Sequence, residues 1–344
     1  MNDLPWRNPD YFGPTEDAEK KRLKRDVSRS CWILLLQLLL ANVLAFVITF
    51  SMSFSVIVQD GGQSLAGAAD LNGMAAAFGM SPALFNFIIS YLPTLIAEIL
   101  AIVMLRRWAG FRLNETRLVS SRTRRPVKMT VLSAFGCWGG AAVASVAVGL
   151  LLQLLQLLGW NMAIPNITVP APAADPAGFG LIVAYVCVAG PVLEEIIFRG
   201  LILNGLKKYS EAAGILISTV LFVMFHGNLV QTVTPLLLGL LLGFVTVRTA
   251  SLKPAIVCHI LNNTAAVAMG FFPEAWGDAV FGVYALIGLA SLGYFLYCFA
   301  KERKELRQFG RLDRGERTLE VLLAPGFIVF FIVYLLLTAI YFII

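Results

Sequence analysis

The sequence predicts an all-α protein: a polytopic transmembrane helical bundle of about nine spans, with its N-terminus in the cytoplasm and its C-terminus outside. Of the 344 residues, 58% are hydrophobic and only 14% are charged, whereas soluble domains carry roughly 45–50% apolar and about 25% charged residues. No polar tract is long enough to form a separate soluble domain, which excludes a cytosolic enzyme with a single membrane anchor. The lengths of the apolar segments and the distribution of charge predict the same fold.

Nine apolar segments are candidates for crossing a bilayer. A helix needs about 20 apolar residues to span about 30 Å of hydrocarbon. The fifth, sixth and seventh segments are shorter than the others, and their ends are the least sharply defined. In chain order the segments are 32–58, 84–105, 130–158, 179–204, 213–229, 234–249, 254–270, 279–300 and 322–344.

Positive charge alternates between the two sides of these segments. Nearly every Lys and Arg lies in the intervals that a cytoplasmic N-terminus places inside, and the outside intervals contain neither residue. Cytoplasmic loops of membrane proteins carry such an excess of Lys and Arg, which accounts for the net charge of +6. We therefore expect no nucleic-acid partner. The alternation would persist if two spans were missed or two were counted in error. The inside intervals are 1–31, 106–129, 205–212, 250–253 and 301–321, and the outside intervals are 59–83, 159–178, 230–233 and 271–278.

The spans group into three regions behind a polar tail. Residues 1–31 form a basic cytoplasmic tail, which orients the chain and contacts anionic lipid. Three N-terminal spans lie in 32–158, four spans in 179–270, and two C-terminal spans in 271–344. The third of these four regions, 179–270, contains most of the polar residues discussed next.

Polar residues within the spans are few, and each is a candidate for function because an ionisable group is costly at membrane depth. Both histidines of the chain are among them. Glu98, near the cytoplasmic end of the second span, is expected to hydrogen-bond locally or to face a wet surface. The others all lie in 179–270, and they are Glu194, Glu195, Arg199, His226, His259, Asn262 and Asn263.

The paired glutamates are predicted to differ in role. Glu195 and Arg199 are four residues apart, so they share a helix face and can form an ion pair, which offsets part of the cost of burying both charges. Glu194 lies about 100° around the helix and lacks this cation. It is therefore the predicted reactive group, a general base acting on water. Pro191 is expected to loosen the preceding turn and to admit water.

Two further pairs are spaced so that their members can act together. Phe222 and His226 are four residues apart, so the phenyl ring packs beside the imidazole. His259 and Asn263 also share one helix face and can reach into one cavity. A neutral imidazole and a carboxamide can each donate a hydrogen bond to a developing oxyanion.

Three motifs occur in a fixed order, each on its own apolar segment: Glu-Glu-x-x-x-Arg, Phe-x-x-x-His and His-x-x-x-Asn. This ordered set resembles the CPBP intramembrane protease family, which includes the CAAX prenyl endopeptidases and bacterial relatives, some of them linked to bacteriocin immunity. The resemblance covers about 179–270, four of the nine predicted spans, and all three motifs match without substitution.

The resemblance implies a role for each motif residue. Glu194 is similar to the family's water-activating glutamate, and His226 to the histidine that assists it. His259 and Asn263 resemble the pair that binds the tetrahedral oxyanion. The supporting residues are Glu195, Arg199 and Phe222.

The residue types in these motifs are compatible with catalysis either with or without a metal. Two histidines and one glutamate can ligate zinc and leave a position for water, and the candidates are Glu194, His226 and His259. The helical zinc motif His-Glu-x-x-His does not occur in the sequence, and a Glu–His pair can activate water directly. We therefore expect that no cofactor is required, with zinc as the alternative. An aspartate pair of the presenilin type is excluded because no Asp lies within a predicted span.

The predicted function is that of an intramembrane endopeptidase, which hydrolyses a peptide bond of a membrane-associated protein or peptide. The alternatives are a proton-coupled transporter, in which Glu and His relay protons, and a non-catalytic membrane immunity or scaffold protein. Internal duplication, which is typical of transporters, is not evident between the two halves of the sequence. We expect a multi-pass protein in the plasma membrane of a prokaryote, with the bilayer and a peptide substrate as partners.

Overall fold

Helices make up most of the residues that the computed structural model describes, which confirms the predicted all-α class. Residues 1–14 of the predicted tail lie outside the described part, as do portions of several predicted connections. The described residues are 15–61, 63, 71–112, 126–160, 175–228, 231–271, 274–302 and 313–343.

The described helices are numbered here in chain order, and two of them contain π-helical stretches that do not interrupt the helix. They are α1 Glu16–Asp60, α2 Leu71–Ala77, α3 Pro82–Arg107, α4 Pro126–Leu157, α5 Pro176–Leu206, α6 Glu211–Phe225, α7 Val233–Thr249, α8 Lys253–Met269, α9 Glu274–Glu302, α10 Arg314–Leu322 and α11 Pro325–Ile343.

Five of the described helices, α1, α3, α4, α5 and α9, are long and apolar enough to cross a membrane. A sixth span results if α10 and α11, which meet at a bend of 65°, count together as one. Helices α6 and α7 are apolar but shorter, with 15 and 17 residues. The chain is thus a polytopic helical membrane protein, while the count of nine spans and their orientation remain predictions.

The first helix is much longer than the span predicted within it. It begins at Glu16, where the Thr15 side chain accepts a hydrogen bond from the Ala18 amide, and it ends where Gly61 adopts a φ of 67°. Its 45 residues extend about 68 Å at about 1.5 Å per residue, more than twice the hydrocarbon thickness of about 30 Å. From Glu16 onward, the predicted tail 1–31 is therefore one continuous helix with the first span.

Two ion pairs join the N-terminal turns of α1 to α10. Lys20 Nζ lies 3.1 Å from Glu316 Oε1, and Lys24 Nζ lies 3.8 Å from Glu320 Oε2. The partners are spaced by four residues on both helices, so the two pairs lie side by side along the contact. Pairs that remain partly exposed to solvent contribute about 0–1 kcal/mol each, so they align α10 more than they stabilise it.

Helices α4 and α9 pack in backbone contact through two glycines. A Cβ atom built on Gly139 would lie 1.9 Å from the carbonyl oxygen of Gly288, and one built on Gly288 would lie 2.5 Å from the amide nitrogen of Gly139. No side chain fits between the two backbones. Close approach through small residues is a common way for membrane helices to associate.

Replacing Gly139 by Ala is expected to lower the free energy of unfolding by at least about 2 kcal/mol, because overpacking costs about 1–3 kcal/mol and only backbone surrounds the new methyl group. Unfolding in mixed detergent micelles measures the change. Gly149→Ala in the same helix is the matched control, since nothing lies within 4 Å of a Cβ at that position. Equal stability of the two variants would contradict the contact.

Helix α5 carries the paired glutamates and lies between three other helices. It packs against α3, α6 and α8, and the rings of Phe198 and Phe222 are buried in the contact with α6. Because the second and third motifs lie at the end of α6 and along α8, this packing brings all three motifs into one region of the bundle.

Candidate active site

Two π-helical stretches flank the glutamate pair in α5. Ala184–Ala189 precedes the α-helical segment Gly190–Glu195, and Ile196–Leu203 follows it. Pro191 has no backbone N–H, so it cannot donate the regular helical hydrogen bond at its position. Single π-turns inside α-helices are frequent at functional sites. The predicted loosening of the turn before Pro191 corresponds to the widened backbone of Ala184–Ala189.

Glu195 and Arg199 form the ion pair that their spacing predicts. Arg199 Nη1 lies 2.8 Å from Glu195 Oε1, and both side chains are 0% exposed. The guanidinium also lies over the ring of Phe222, with Cζ 4.4 Å from the ring centroid, a cation–π contact. Arg199 is thus held by a carboxylate from its own helix and by a ring from α6.

Glu195 has a second partner, which the sequence did not predict. Its Oε1 lies 2.9 Å from Nδ1 of the buried His259 on α8. A carboxylate can only accept a hydrogen bond, so the imidazole donates through Nδ1–H, and the tautomer of His259 is set by this contact. The opposite ring nitrogen, Nε2, is left for other partners.

Glu194 lies on the other side of the same imidazole. Its Oε2 is 3.7 Å from His259 Nε2, and its side chain is 20% exposed, whereas that of Glu195 is 0% exposed. This distance is longer than a hydrogen bond. Glu194 is therefore adjacent to His259 and more accessible than Glu195, as the different directions of the two glutamates predict.

His226 lies just beyond a helix end, which corrects the prediction that it lies within the span 213–229. Helix α6 ends at Phe225, and His226 occupies the C-cap turn. The physical reason is Gly227, whose φ of 66° is the left-handed conformation that ends helices. His226 Nδ1 lies 2.8 Å from the carbonyl oxygen of Phe222, so Nδ1–H donates to that oxygen and Nε2 carries the lone pair.

Phe222 lies between the two imidazoles. Its ring centroid is 4.8 Å from that of His226 and 6.0 Å from that of His259, with interplanar angles of 85° and 88°. The predicted packing of Phe222 beside His226 is present, and the ring also reaches His259. Among the described residues, no hydrogen bond or ion pair joins His226 directly to Glu194, and the two residues belong to different parts of the chain.

Asn263 is anchored by a backbone carbonyl on α5. Its Nδ2 donates to Val186 O at 3.0 Å, and its Oδ1 accepts a hydrogen bond from Asn262 Nδ2 at 3.4 Å. A carboxamide has two N–H donors, so one remains for a further partner. His259 and Asn263 thus lie one helical turn apart on α8, and both bond to groups of α5.

Glu98 does not face a wet surface, contrary to the expectation from the sequence. It is 1% exposed, and its Oε2 accepts a hydrogen bond from Tyr185 Oη at 3.2 Å. The contact joins α3 to the first π-helical stretch of α5. Because Glu98 is near Arg106 along the chain, the sequence suggested a local partner. The packing of α3 on α5 instead supplies Tyr185, which is 87 residues away.

The zinc alternative requires Glu194, His226 and His259 to converge on one point. Within the part of the chain that the structure describes, no three His, Cys, Asp or Glu side chains are grouped so as to hold a metal ion. The Nδ1 atoms of both imidazoles bond to protein groups and leave both Nε2 atoms available, an arrangement that histidines also adopt as metal ligands. That no metal is required stays a prediction, and no step of the proposed mechanism uses one.

Comparison with known proteins identifies the same segment. Residues 176–265, which include every predicted site residue, match the family model of the type II CAAX prenyl endopeptidases, Rce1-like. Over 88 residues the chain is 35% identical to a protein of Bacillus subtilis (strain 168) named "Putative membrane peptidase YdiL". This match covers 25% of the chain and only 36% of that relative, and no solved structure matches the chain. The segment 176–265 thus matches the Rce1-like family of type II CAAX prenyl endopeptidases, which confirms the family that the three motifs predicted.

Proposed function

We propose that this chain is an intramembrane endopeptidase that hydrolyses a peptide bond of a membrane-associated protein or peptide. The observation that supports this most strongly is the position of Glu194, 3.7 Å from Nε2 of an imidazole that Glu195 orients. An accessible carboxylate beside oriented imidazoles is the arrangement that general acid–base catalysis on water needs. The family of residues 176–265 supports the same chemistry.

Glu194 is the proposed general base. It takes a proton from a water molecule while the water oxygen bonds to the carbon of the scissile carbonyl. His226 assists, because its Nδ1–H is donated to Phe222 O and its Nε2 lone pair can accept the second hydrogen of the same water. Together the two acceptors would orient the water for attack.

His259 and Asn263 are the proposed donors to the oxyanion that forms on the carbonyl oxygen. Asn263 has one N–H left after its bond to Val186 O. His259 donates through Nε2 when the ring carries its second proton, and the carboxylates of Glu194 and Glu195 on either side of the ring offset that positive charge. One such donor typically contributes about 10²–10³ in rate.

The reaction ends with transfer of the same proton. As the carbon–nitrogen bond of the tetrahedral intermediate breaks, Glu194 gives the proton taken from water to the leaving amine. The water oxygen remains in the new carboxyl group, and Glu194 returns to its ionised form. Water is consumed, and no other reactant or required cofactor enters this scheme.

The setting of the enzyme is part of the proposal. The apolar helices support an integral membrane protein, and the bacterial relative supports the plasma membrane of a prokaryote. The proposed partners are the surrounding lipid and a membrane-associated protein or peptide substrate. No nucleic-acid partner is proposed.

Cleavage of membrane-anchored peptides by the full chain in proteoliposomes tests the function. In water enriched in heavy oxygen, we expect mass spectrometry to find new peptide fragments with the label in the new carboxyl terminus. Cleavage should persist in 1,10-phenanthroline, because the scheme uses no metal. Loss of cleavage with the chelator and its return with zinc would overturn the metal-free mechanism. Absence of any cleavage, together with a proton flux that depends on Glu194, would favour the transporter.

A further inference from the structure

A buried carboxylate and a phenol lie beside the proposed catalytic residues without belonging to them. Glu98 on α3 is 1% exposed, and it accepts a hydrogen bond from Tyr185 Oη at 3.2 Å. The part of α3 that carries Glu98 packs against the segment Gly190–Glu195, which carries Glu194. Burying a carboxylate at this depth is costly, so a pair of this kind calls for a functional reason.

Tyr185 belongs to the π-helical stretch Ala184–Ala189. The next residue, Val186, offers the carbonyl oxygen to which Asn263 Nδ2 donates at 3.0 Å. One short segment is therefore held on one side by Glu98, through the Tyr185 hydroxyl, and is bonded on the other side to Asn263. A displacement of this segment would move the acceptor of Asn263.

The bond to Val186 O decides which end of the Asn263 carboxamide faces the site. A carbonyl oxygen accepts from the NH2 end and repels the oxygen end, and Asn262 Nδ2 donates to Asn263 Oδ1 at 3.4 Å, which favours the same orientation. If Val186 O shifted, the carboxamide could rotate and present its oxygen to the oxyanion. Electrostatic stabilisation of an oxyanion depends on donors that are fixed before the reaction.

The side chain of Tyr185 is held by ring contacts and by its hydrogen bond to Glu98. π-Helical hydrogen bonds are rare in proteins and occur in single turns. The ring of Tyr185 packs over Gly190, where an added Cβ would lie 3.6 Å from ring atoms, and it lies 5.2 Å from the ring of Tyr91 between centroids. The contact with Tyr91 is apolar, so the hydrogen bond to Glu98 is the directional one.

We propose that Glu98 and Tyr185 are positioning residues for Asn263: their hydrogen bond fixes the π-helical stretch, and the Val186 carbonyl of that stretch directs the N–H of Asn263 toward the reacting peptide. This inference rests on the proposed endopeptidase function. It adds to the site a residue of α3, a helix outside the segment 176–265 that matches the family model.

Tyr185→Phe is the first test, because it removes the hydroxyl and keeps the ring. We expect kcat to fall about 3- to 10-fold with KM within about two-fold, as for the loss of one buried hydrogen bond that acts in the transition state. Glu98→Met should lower kcat by the same factor. Glu98→Gln should recover most of the activity, since its amide oxygen accepts the same bond. Tyr91→Phe is the matched control and should keep the full rate.

Combination with Asn263→Ala separates positioning from a general effect on the fold. If Glu98 and Tyr185 act through Asn263, Tyr185→Phe should change kcat by less than about two-fold in the Asn263→Ala background. The effects of Tyr185→Phe and Asn263→Ala on the free energy of unfolding in detergent should also be non-additive, and this measurement requires no substrate. An equal fall of kcat in both backgrounds, or a wild-type rate for Tyr185→Phe, would overturn the inference. A wild-type chain without cleavage would refute the proposed function, while additive unfolding energies would refute the positioning.

Discussion

Replacing Glu194 by Gln is expected to reduce peptide cleavage about 10³-fold. The amide keeps the shape of the side chain but cannot take a proton from water, and general-base catalysis contributes about 10²–10⁴ in rate. The loss should appear in kcat, because the proton moves only in the transition state. The assay is hydrolysis of a membrane-anchored peptide by the reconstituted chain, with product formation followed by mass spectrometry.

The fold should be unchanged in this variant. Glu194 has a partly exposed side chain, and its closest described ionic partner is 3.7 Å away, so its replacement leaves no strong contact unmade. Glu320→Gln is the matched control, because Glu320 pairs with Lys24 at a distant helix contact and should retain activity within about two-fold, as expected for the loss of a weak, partly exposed pair. Cleavage by Glu194→Gln at more than about a tenth of the wild-type rate would be incompatible with the proposed base.

Contacts within one helix could be predicted from the sequence, because helical geometry fixes which side chains are neighbours. Glu195 and Arg199 are paired as their spacing of four residues indicates, and the same spacing brings Phe222 beside His226. The π-helical stretch Ala184–Ala189 lies just before Pro191, the residue at which the sequence predicted a loosened turn. The all-α class followed from the apolar composition together with the length of the apolar segments, since a spanning helix needs about 20 apolar residues and a barrel strand only about 9–11.

Contacts between helices could not be predicted, because they depend on how the helices pack. The bond between His259 and Glu195 joins residues 64 positions apart, and helical periodicity carries no information about the partner of a side chain on another helix. Glu98 illustrates the same limit, since its partner Tyr185 belongs to α5. The sequence named the candidate groups of the site, which stay a prediction, whereas the distribution of hydrogen bonds among them required the tertiary structure.

The boundary at His226 shows a further limit. The predicted span extended past His226 to residue 229, yet α6 ends at Phe225 because Gly227 adopts a left-handed conformation. The sequence contained this glycine, but a glycine within an apolar membrane segment is common and does not by itself indicate a helix end. The difference matters chemically, because His226 donates to the carbonyl oxygen of Phe222 from the turn after α6 and keeps Nε2 available.

Replacing Arg199 by Met is expected to lower the free energy of unfolding by about 3–5 kcal/mol, the usual effect of removing one partner of a buried ion pair. Methionine approximates the length of the stem, so the effect isolates the charge. Glu195 would then remain fully buried with His259 as its sole described partner, and the Phe222 ring would lose the cation above it. Unfolding in mixed micelles, followed by helical circular dichroism, measures the change.

Two comparisons decide whether the buried pair accounts for that loss. Lys24→Met breaks the partly exposed pair with Glu320 and should cost no more than about 1 kcal/mol. The double variant Glu195→Gln with Arg199→Met removes both charges, so it should be more stable than Arg199→Met alone, since the penalty of an uncompensated buried charge is gone. It should nevertheless be much less active than the wild type, because the amide oxygen of a glutamine at position 195 can still accept the bond from His259 but no longer offsets the positive charge of its protonated ring. If the double variant regains stability but stays much less active than the wild type, the two roles of Glu195 are separate. If it is less stable than Arg199→Met, the carboxylate of Glu195 is not left uncompensated when Arg199 is removed.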